Sequence, residues 1–226
     1  MTAFTIKLLA ILSMAIDHVA VVYGLHPGLR VPGRLAFPLF VFLIADSCRH
    51  TRSLDKFLLR LGLFALLSET PFDLAFNNEI NFFANTNVFY TFFLGVLCVY
   101  VYRQLQQTAL LPVLPLPIIG LMLAAEWLSS DFGAIGVLFV FLMALAAGRK
   151  ILQLGIILLA SFALYLPAIL ITNFAFLQVY ILLGSLIAIG IAAFANGQRG
   201  PNVKWPFYLF YPGHLLLLAL TSALFL

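Results

Sequence analysis

Nine stretches of this chain, at about 4–24, 34–49, 56–77, 87–104, 109–128, 132–148, 150–171, 175–195 and 205–225, are predominantly apolar, with charges concentrated in 34–49 and 56–77. Each approaches the ~20 residues a helix needs to cross a bilayer. Overall 64% of the 226 residues are hydrophobic and 9% are charged, whereas a soluble domain is about half apolar and about a quarter charged. A water-soluble fold of this size has no interior large enough for that much apolar surface, which excludes a soluble enzyme. Disorder is excluded because it requires low hydrophobicity and high charge. The runs are continuous and do not alternate, which argues against a β-barrel. The expected fold is therefore all-α: a polytopic transmembrane bundle of about nine spans, with a range of eight to ten, in one integral-membrane domain over 1–226.

The charges order these spans. Lys7, Arg49, Arg52, Lys56, Arg60, Arg103, Arg149, Lys150, Arg199 and Lys204 fall on one side of the alternating loops, leaving Arg30 and Arg34 on the other. By the positive-inside rule the N-terminus is expected in the cytoplasm. The opposite loops carry Glu79, Asp131 and several asparagines. The net charge of +4 is thus a topology signal and points to no nucleic-acid partner. Cys48 and Cys98 sit in apolar runs without CxxC spacing and read as small buried hydrophobes. The first apolar run is broken by Asp17 and His18 and is followed by no A-x-A pattern, so it reads as a retained span. The three prolines of 111–117 predict a bent start to the fifth span.

Ionisable groups at membrane depth cost several kcal/mol unless paired or hydrated, so each is a candidate for function. Asp17 and His18 lie in the first span. Adjacent helical residues point about 100° apart, so each needs a partner from another helix. A histidine is a suitable general base near neutral pH. Arg34 opens the second span at the depth of Asp17, and an Asp17–Arg34 ion pair is the structural alternative to a catalytic role. Glu69 and Asp73, four residues apart on either side of Pro71, share a helix face at a proline break, which places Glu69 towards the cavity of His18. Lys204, Tyr208, Tyr211 and His214 form a slowly drifting polar stripe on the last span. Arg49, Arg52 and Lys56 cluster at the cytoplasmic end of the second and third spans, where topology explains them and an arginine pair also suits phosphate. Walker A, HExxH and GxSxG motifs are absent, so no nucleotide-hydrolysis or metal chemistry is expected.

The run from Lys7 through Met14-Ala-Ile-Asp17-His18 resembles the opening of the TraX family. Further matches are Gly33-Arg34-Leu-Ala-Phe-Pro38, His50-Thr-Arg52, Ser68-Glu69-Thr-Pro71-Phe-Asp73, Asn87-Val88, Asn196-Gly-Gln-Arg-Gly and Lys204-Trp-Pro-Phe-Tyr-Leu-Phe-Tyr211-Pro-Gly-His214. That family is named for a conjugation protein that acetylates the N-terminus of F-pilin, and it looks related to membrane acyltransferases that use cytoplasmic acetyl-CoA. The resemblance implies a bacterial inner-membrane acetyltransferase. Its catalytic base would be His18, and Arg49-His-Thr-Arg52 would match the relatives' R-x-x-R motif at the CoA end. On this reading CoA docks on Arg49, Arg52, Lys56 and Lys204, with its arm along Tyr208–His214. Asp17 or Glu69 orients His18, and Arg34 or Tyr211 steadies the oxyanion. The partners are the lipid bilayer and an acyl acceptor: a peptide N-terminus, a sugar or a lipid headgroup. Two rival readings use the same residues, one as a proton or ion relay in a small transporter and one as helix–helix glue in a membrane scaffold.

Overall fold

The protein is described by a computed structural model covering residues 1–225 except 78–79, 82–84, 174, 202 and 204. Among the described residues the chain is helical throughout and has no strand. The helices are α1 (Ala3–Val22), a short α2 (Arg30–Gly33), α3 (Ala36–His50), α4 (Leu54–Phe76), α5 (Val88–Leu105), α6 (Pro115–Trp127), α7 (Gly133–Leu145), α8 (Lys150–Ile171), α9 (Phe176–Ala193) and α10 (Trp205–Phe225). Among the described residues six segments are long and apolar enough to cross a membrane: α1, Pro27–His50, α5, α8, α9 and Trp205–Leu224. The apolar segments Leu111–Trp127 and Gly133–Leu145 are shorter. Asp55, Lys56, Arg60, Glu69 and Asp73 make α4, 23 residues long, more polar than these.

The nine expected stretches each contain one long helix, and the differences have local causes. The stretch 109–128 becomes a 3-10 turn at Leu111–Val113 followed by α6, which starts at Pro115. Proline is tolerated in the first turn of a helix because the missing N–H would have had no partner there. The segment between the first two stretches holds a 3-10 turn at Pro27–Leu29 and α2. Caps fix the long elements: Ser53 Oγ accepts from the Lys56 amide at 3.3 Å, and Asn87 Oδ1 from the Phe89 amide at 3.0 Å.

Packing follows from the small residues. α5 and α7 meet where Gly95 faces Val140, whose Cβ would lie 2.5 Å from a methyl added at Gly95. α10 lies along α4 and also touches α1. A large central core of phenylalanine and aliphatic side chains links α3, α4, α5 and α7. The outward faces remain apolar: Ile151, Ile171 and Phe176 are each more than 80% exposed. Such a surface is untenable in water and ordinary in lipid.

The approach of α2 to α1 positions the site. A Cβ on Gly33 would sit 2.3 Å from the Asp17 Cβ, so only glycine lets the two backbones meet there. Ser13 Oγ donates to the Pro32 carbonyl in the same contact. Gly33→Ala is expected to cost about 1–3 kcal/mol through overpacking and to displace Asp17. Thermal unfolding in detergent checks this, and an unchanged melting temperature would show that α2 can retreat freely.

Candidate functional site

α1, α2, α3, α4, α5 and α10 line a half-open cavity of about 220 Å³ whose wall includes Asp17, His18, Arg34, Asp131, Phe132 and Tyr211. Four of these, Asp17, His18, Arg34 and Tyr211, are sequence candidates. The structure adds Asp131 and Phe132 from the turn between α6 and α7.

His18 Nδ1 lies 2.8 Å from His214 Nε2. His214 Nδ1 lies 2.8 Å from the Phe210 carbonyl oxygen one turn earlier on α10. A carbonyl can only accept, so His214 carries its proton on Nδ1 and donates it there. The Nε2 of the neutral His214 ring then accepts from the Nδ1–H of His18. The network leaves the neutral His18 ring with its lone pair on Nε2, the form required of a general base. The rings are nearly parallel, 11° apart, and His18 makes edge contacts with Phe76 and Tyr211. The partner that orients His18 is thus His214, where the sequence reading expected Asp17 or Glu69.

Asp17 is engaged elsewhere. Arg34 Nη2 lies 2.7 Å from both of its oxygens, and Arg30 Nε is 3.6 Å from Oδ1. The ion pair considered from sequence therefore exists. It does not account for the whole of Arg34, whose buried Nε makes no hydrogen bond.

Glu69 and Asp73 turn to the start of α5 and do not line the cavity of His18, contrary to the expected placement of Glu69. Glu69 Oε2 accepts from the backbone amide of Asn87 at 3.2 Å and from its side-chain amide. Asn87 Nδ2 also donates to the Ala65 carbonyl at 2.8 Å. Asp73 accepts from Asn77 Nδ2 at 2.9 Å and from the Asn81 amide at 2.7 Å. The physical reason is demand: the amides before α5 and the loop after α4 would otherwise be buried without acceptors. In this arrangement Glu69 fastens α4 to the start of α5, and Asp73 fastens the end of α4 to the loop that follows it.

On α10, Tyr211 is 4% exposed and faces the cavity. Tyr208 packs against Phe64, with ring centres 4.9 Å apart, and against Phe89 at 6.3 Å. These rings fill the interior between the cavity and the basic end of the bundle. At that end Arg49, Arg52 and Lys56 are exposed around the α3–α4 turn. The Arg49 guanidinium lies against Gly148, where a Cβ would come within 2.2 Å of Nη1. Arg103 Nη2 ties the turn down by donating to the Cys48 carbonyl at 2.7 Å. Lys204 and Glu79 lie outside the described residues. Among the described residues no three His, Cys, Asp or Glu side chains form a metal-ligand set.

Asp131 is the residue the sequence reading undervalued; it appeared there only as a loop charge. Its one sequence signal is an acidic group between two short apolar helices. Its amide donates to the Thr86 carbonyl at 3.0 Å, and the Thr91 hydroxyl donates to its carbonyl. Asp131 is exposed at the mouth of the cavity, and its carboxyl is pushed up to about 6 by desolvation; Arg34 opposes the shift and Asp17 adds to it. It remains mostly ionised at neutral pH.

The fold and site define a multi-pass helical membrane protein with a histidine pair and an ion pair walled into its interior. The chain belongs to the TraX family, whose model, described as TraX protein, matches residues 3–222. It is also similar to a protein of Dichelobacter nodosus described as "Probable fimbrial assembly protein FimC, serogroup H1", at 29% identity, over 96% of this chain and 94% of that one. No solved structure matches the chain.

Proposed function

We propose that this protein is an acetyl-CoA-dependent acyltransferase of the bacterial inner membrane, with nine spans and a cytoplasmic N-terminus. It would move an acetyl group to an amine or hydroxyl acceptor at the outer side. The observation that carries the reading is the Phe210–His214–His18 chain, which leaves a basic nitrogen at a cavity wall. The family's association with pilin acetylation and the fimbrial description of the Dichelobacter relative support it.

His18 Nε2 takes a proton from the acceptor as the acceptor's nitrogen or oxygen attacks the thioester carbon. His214 stabilises the imidazolium by accepting from His18 Nδ1. The guanidinium of Arg34 and the hydroxyl of Tyr211, both residues of the cavity wall, would face the developing oxyanion. When the carbon–sulfur bond breaks, His18 returns the proton to the departing thiolate. Arg49, Arg52 and Lys56 would hold the donor's phosphates, joined by Lys204. From Lys7 to His18 is about 17 Å along α1 at ~1.5 Å per residue, a span suited to an extended pantetheine arm. That arm would pass beside Tyr208 and displace the Phe64 and Phe89 rings.

The test is the melting temperature of the purified protein in detergent with acetyl-CoA. A saturable rise of several degrees is expected, as ligand at about 100-fold over its Kd adds about 2.7 kcal/mol. The rise should vanish in Arg49→Ala, Arg52→Ala. No rise at millimolar acetyl-CoA in folded protein would overturn the reading and favour ion transport or a scaffold.

A further inference from the structure

Phe72, Asp131 and Phe132 are shared walls between the histidine cavity and a second chamber of about 410 Å³ that is broadly open on one side. The remaining lining of that chamber is polar throughout: Asn77, Asn85, Thr86, Ser129 and Ser130. Thr86 is fully buried and its Oγ1 has no hydrogen-bond partner.

The backbone around this chamber is held in unusual conformations. Asn85, Ser129 and Phe132 have φ of 59°, 47° and 66°. For a side chain as large as phenylalanine, the left-handed region is a true outlier. Such positions cost about 1–3 kcal/mol each and concentrate at ligand clamps.

Charge singles out one group. Arg34 neutralises Asp17 at 2.7 Å. Among the described residues no ion pair reaches the Asp131 carboxylate within 4.0 Å. Its backbone is pinned on both sides, by Thr86 and by Thr91, so the carboxylate has a fixed place on the wall common to both chambers.

We propose that the second chamber receives the acyl acceptor, and that Asp131 is a positioning residue that holds the acceptor's primary ammonium at the threshold of the histidine cavity. This rests on the acyl-transfer reading above. The Asn, Ser and Thr side chains satisfy the donors and acceptors of the acceptor's first few polar groups. The reaction balances as ammonium plus acetyl thioester giving amide, thiol and one proton. One proton leaves the ammonium for chamber water, and the second passes through His18 to the thiolate as the nitrogen–carbon bond forms and the carbon–sulfur bond breaks.

The experiment measures binding by calorimetry to the full chain in lipid nanodiscs, without donor. The probes are trialanine amide, its N-acetylated form and glycerophosphoethanolamine. Wild type should bind trialanine amide and not the acetylated form. Asp131→Asn should weaken that binding by about 10- to 100-fold, the range for a charged hydrogen bond. Asp131→Glu should retain the preference, and both variants should keep the acetyl-CoA melting shift. Binding of glycerophosphoethanolamine alone would keep the ammonium site and assign it to a lipid headgroup. Equal binding of both peptides, no binding of any probe, or no loss in Asp131→Asn would overturn the inference. An intact ammonium preference without any acetyl transfer would instead overturn the acyl-transfer reading.

Discussion

His18→Ala should abolish acetyl transfer while leaving acetyl-CoA binding at its wild-type strength. General-base catalysis contributes about 10²- to 10⁴-fold, and a loss of that size in kcat is expected. The donor's phosphates would sit near Arg49, at the opposite end of the helices, so the melting shift with acetyl-CoA should survive. His214→Gln should fall between wild type and His18→Ala, because an amide can still accept from His18 Nδ1 but cannot share the imidazolium charge. Transfer by His18→Ala at the wild-type rate would remove His18 from the mechanism. Parallel loss of transfer and of donor binding would assign it a structural role.

Asp17→Ala should be the most destabilising single change in the protein. It leaves Arg34 with only 16% of its side chain exposed and, among the described residues, no ion-pair partner within 4.0 Å, Asp131 being the remaining carboxylate in its surroundings. Breaking a buried pair by removing one partner costs about 3–5 kcal/mol, whereas replacing both with apolar groups of similar volume is often neutral. The double change Asp17→Leu, Arg34→Met should therefore recover most of the melting temperature lost in Asp17→Ala. It should remain deficient in transfer, because the Arg34 guanidinium is gone from the cavity wall. A melting temperature unchanged in Asp17→Ala would show that water in the cavity, and not Arg34, satisfies the carboxylate.

Much of the architecture was legible because it is written in local terms. Each long apolar run had to become a helix, since a buried or lipid-facing backbone must satisfy its own polar groups. The expected 56–77 and 205–225 correspond closely to Leu54–Phe76 and Trp205–Phe225. The Asp17–Arg34 contact was also legible, because two opposite charges at matching depth on consecutive spans have few other partners. What escaped the sequence depended on rotation about helix axes and on loops. Glu69 had two available faces, and the unsatisfied Asn87 amides decided between them. The His18–His214 pairing joins residues 196 positions apart, a separation for which spacing arguments give no register. Asp131 was visible as a charge but not as part of a wall, because its place depends on a turn in which Phe132 adopts a positive φ.

The histidine pair also sets when this protein can act. One ring belongs to α1 and the other to α10, at opposite ends of the chain order. A nascent chain that has inserted α1 through α9 already holds Asp17, Arg34 and the basic turn at Arg49, but His18 has nothing to fix its tautomer. Helices enter the membrane in order of synthesis, N-terminal first, so the oriented base comes into being only when the final helix docks on α1 and α4. On the proposed acyl-transfer mechanism, assembly of the bundle and onset of chemistry are thus one event, and an incompletely made chain carries no oriented base.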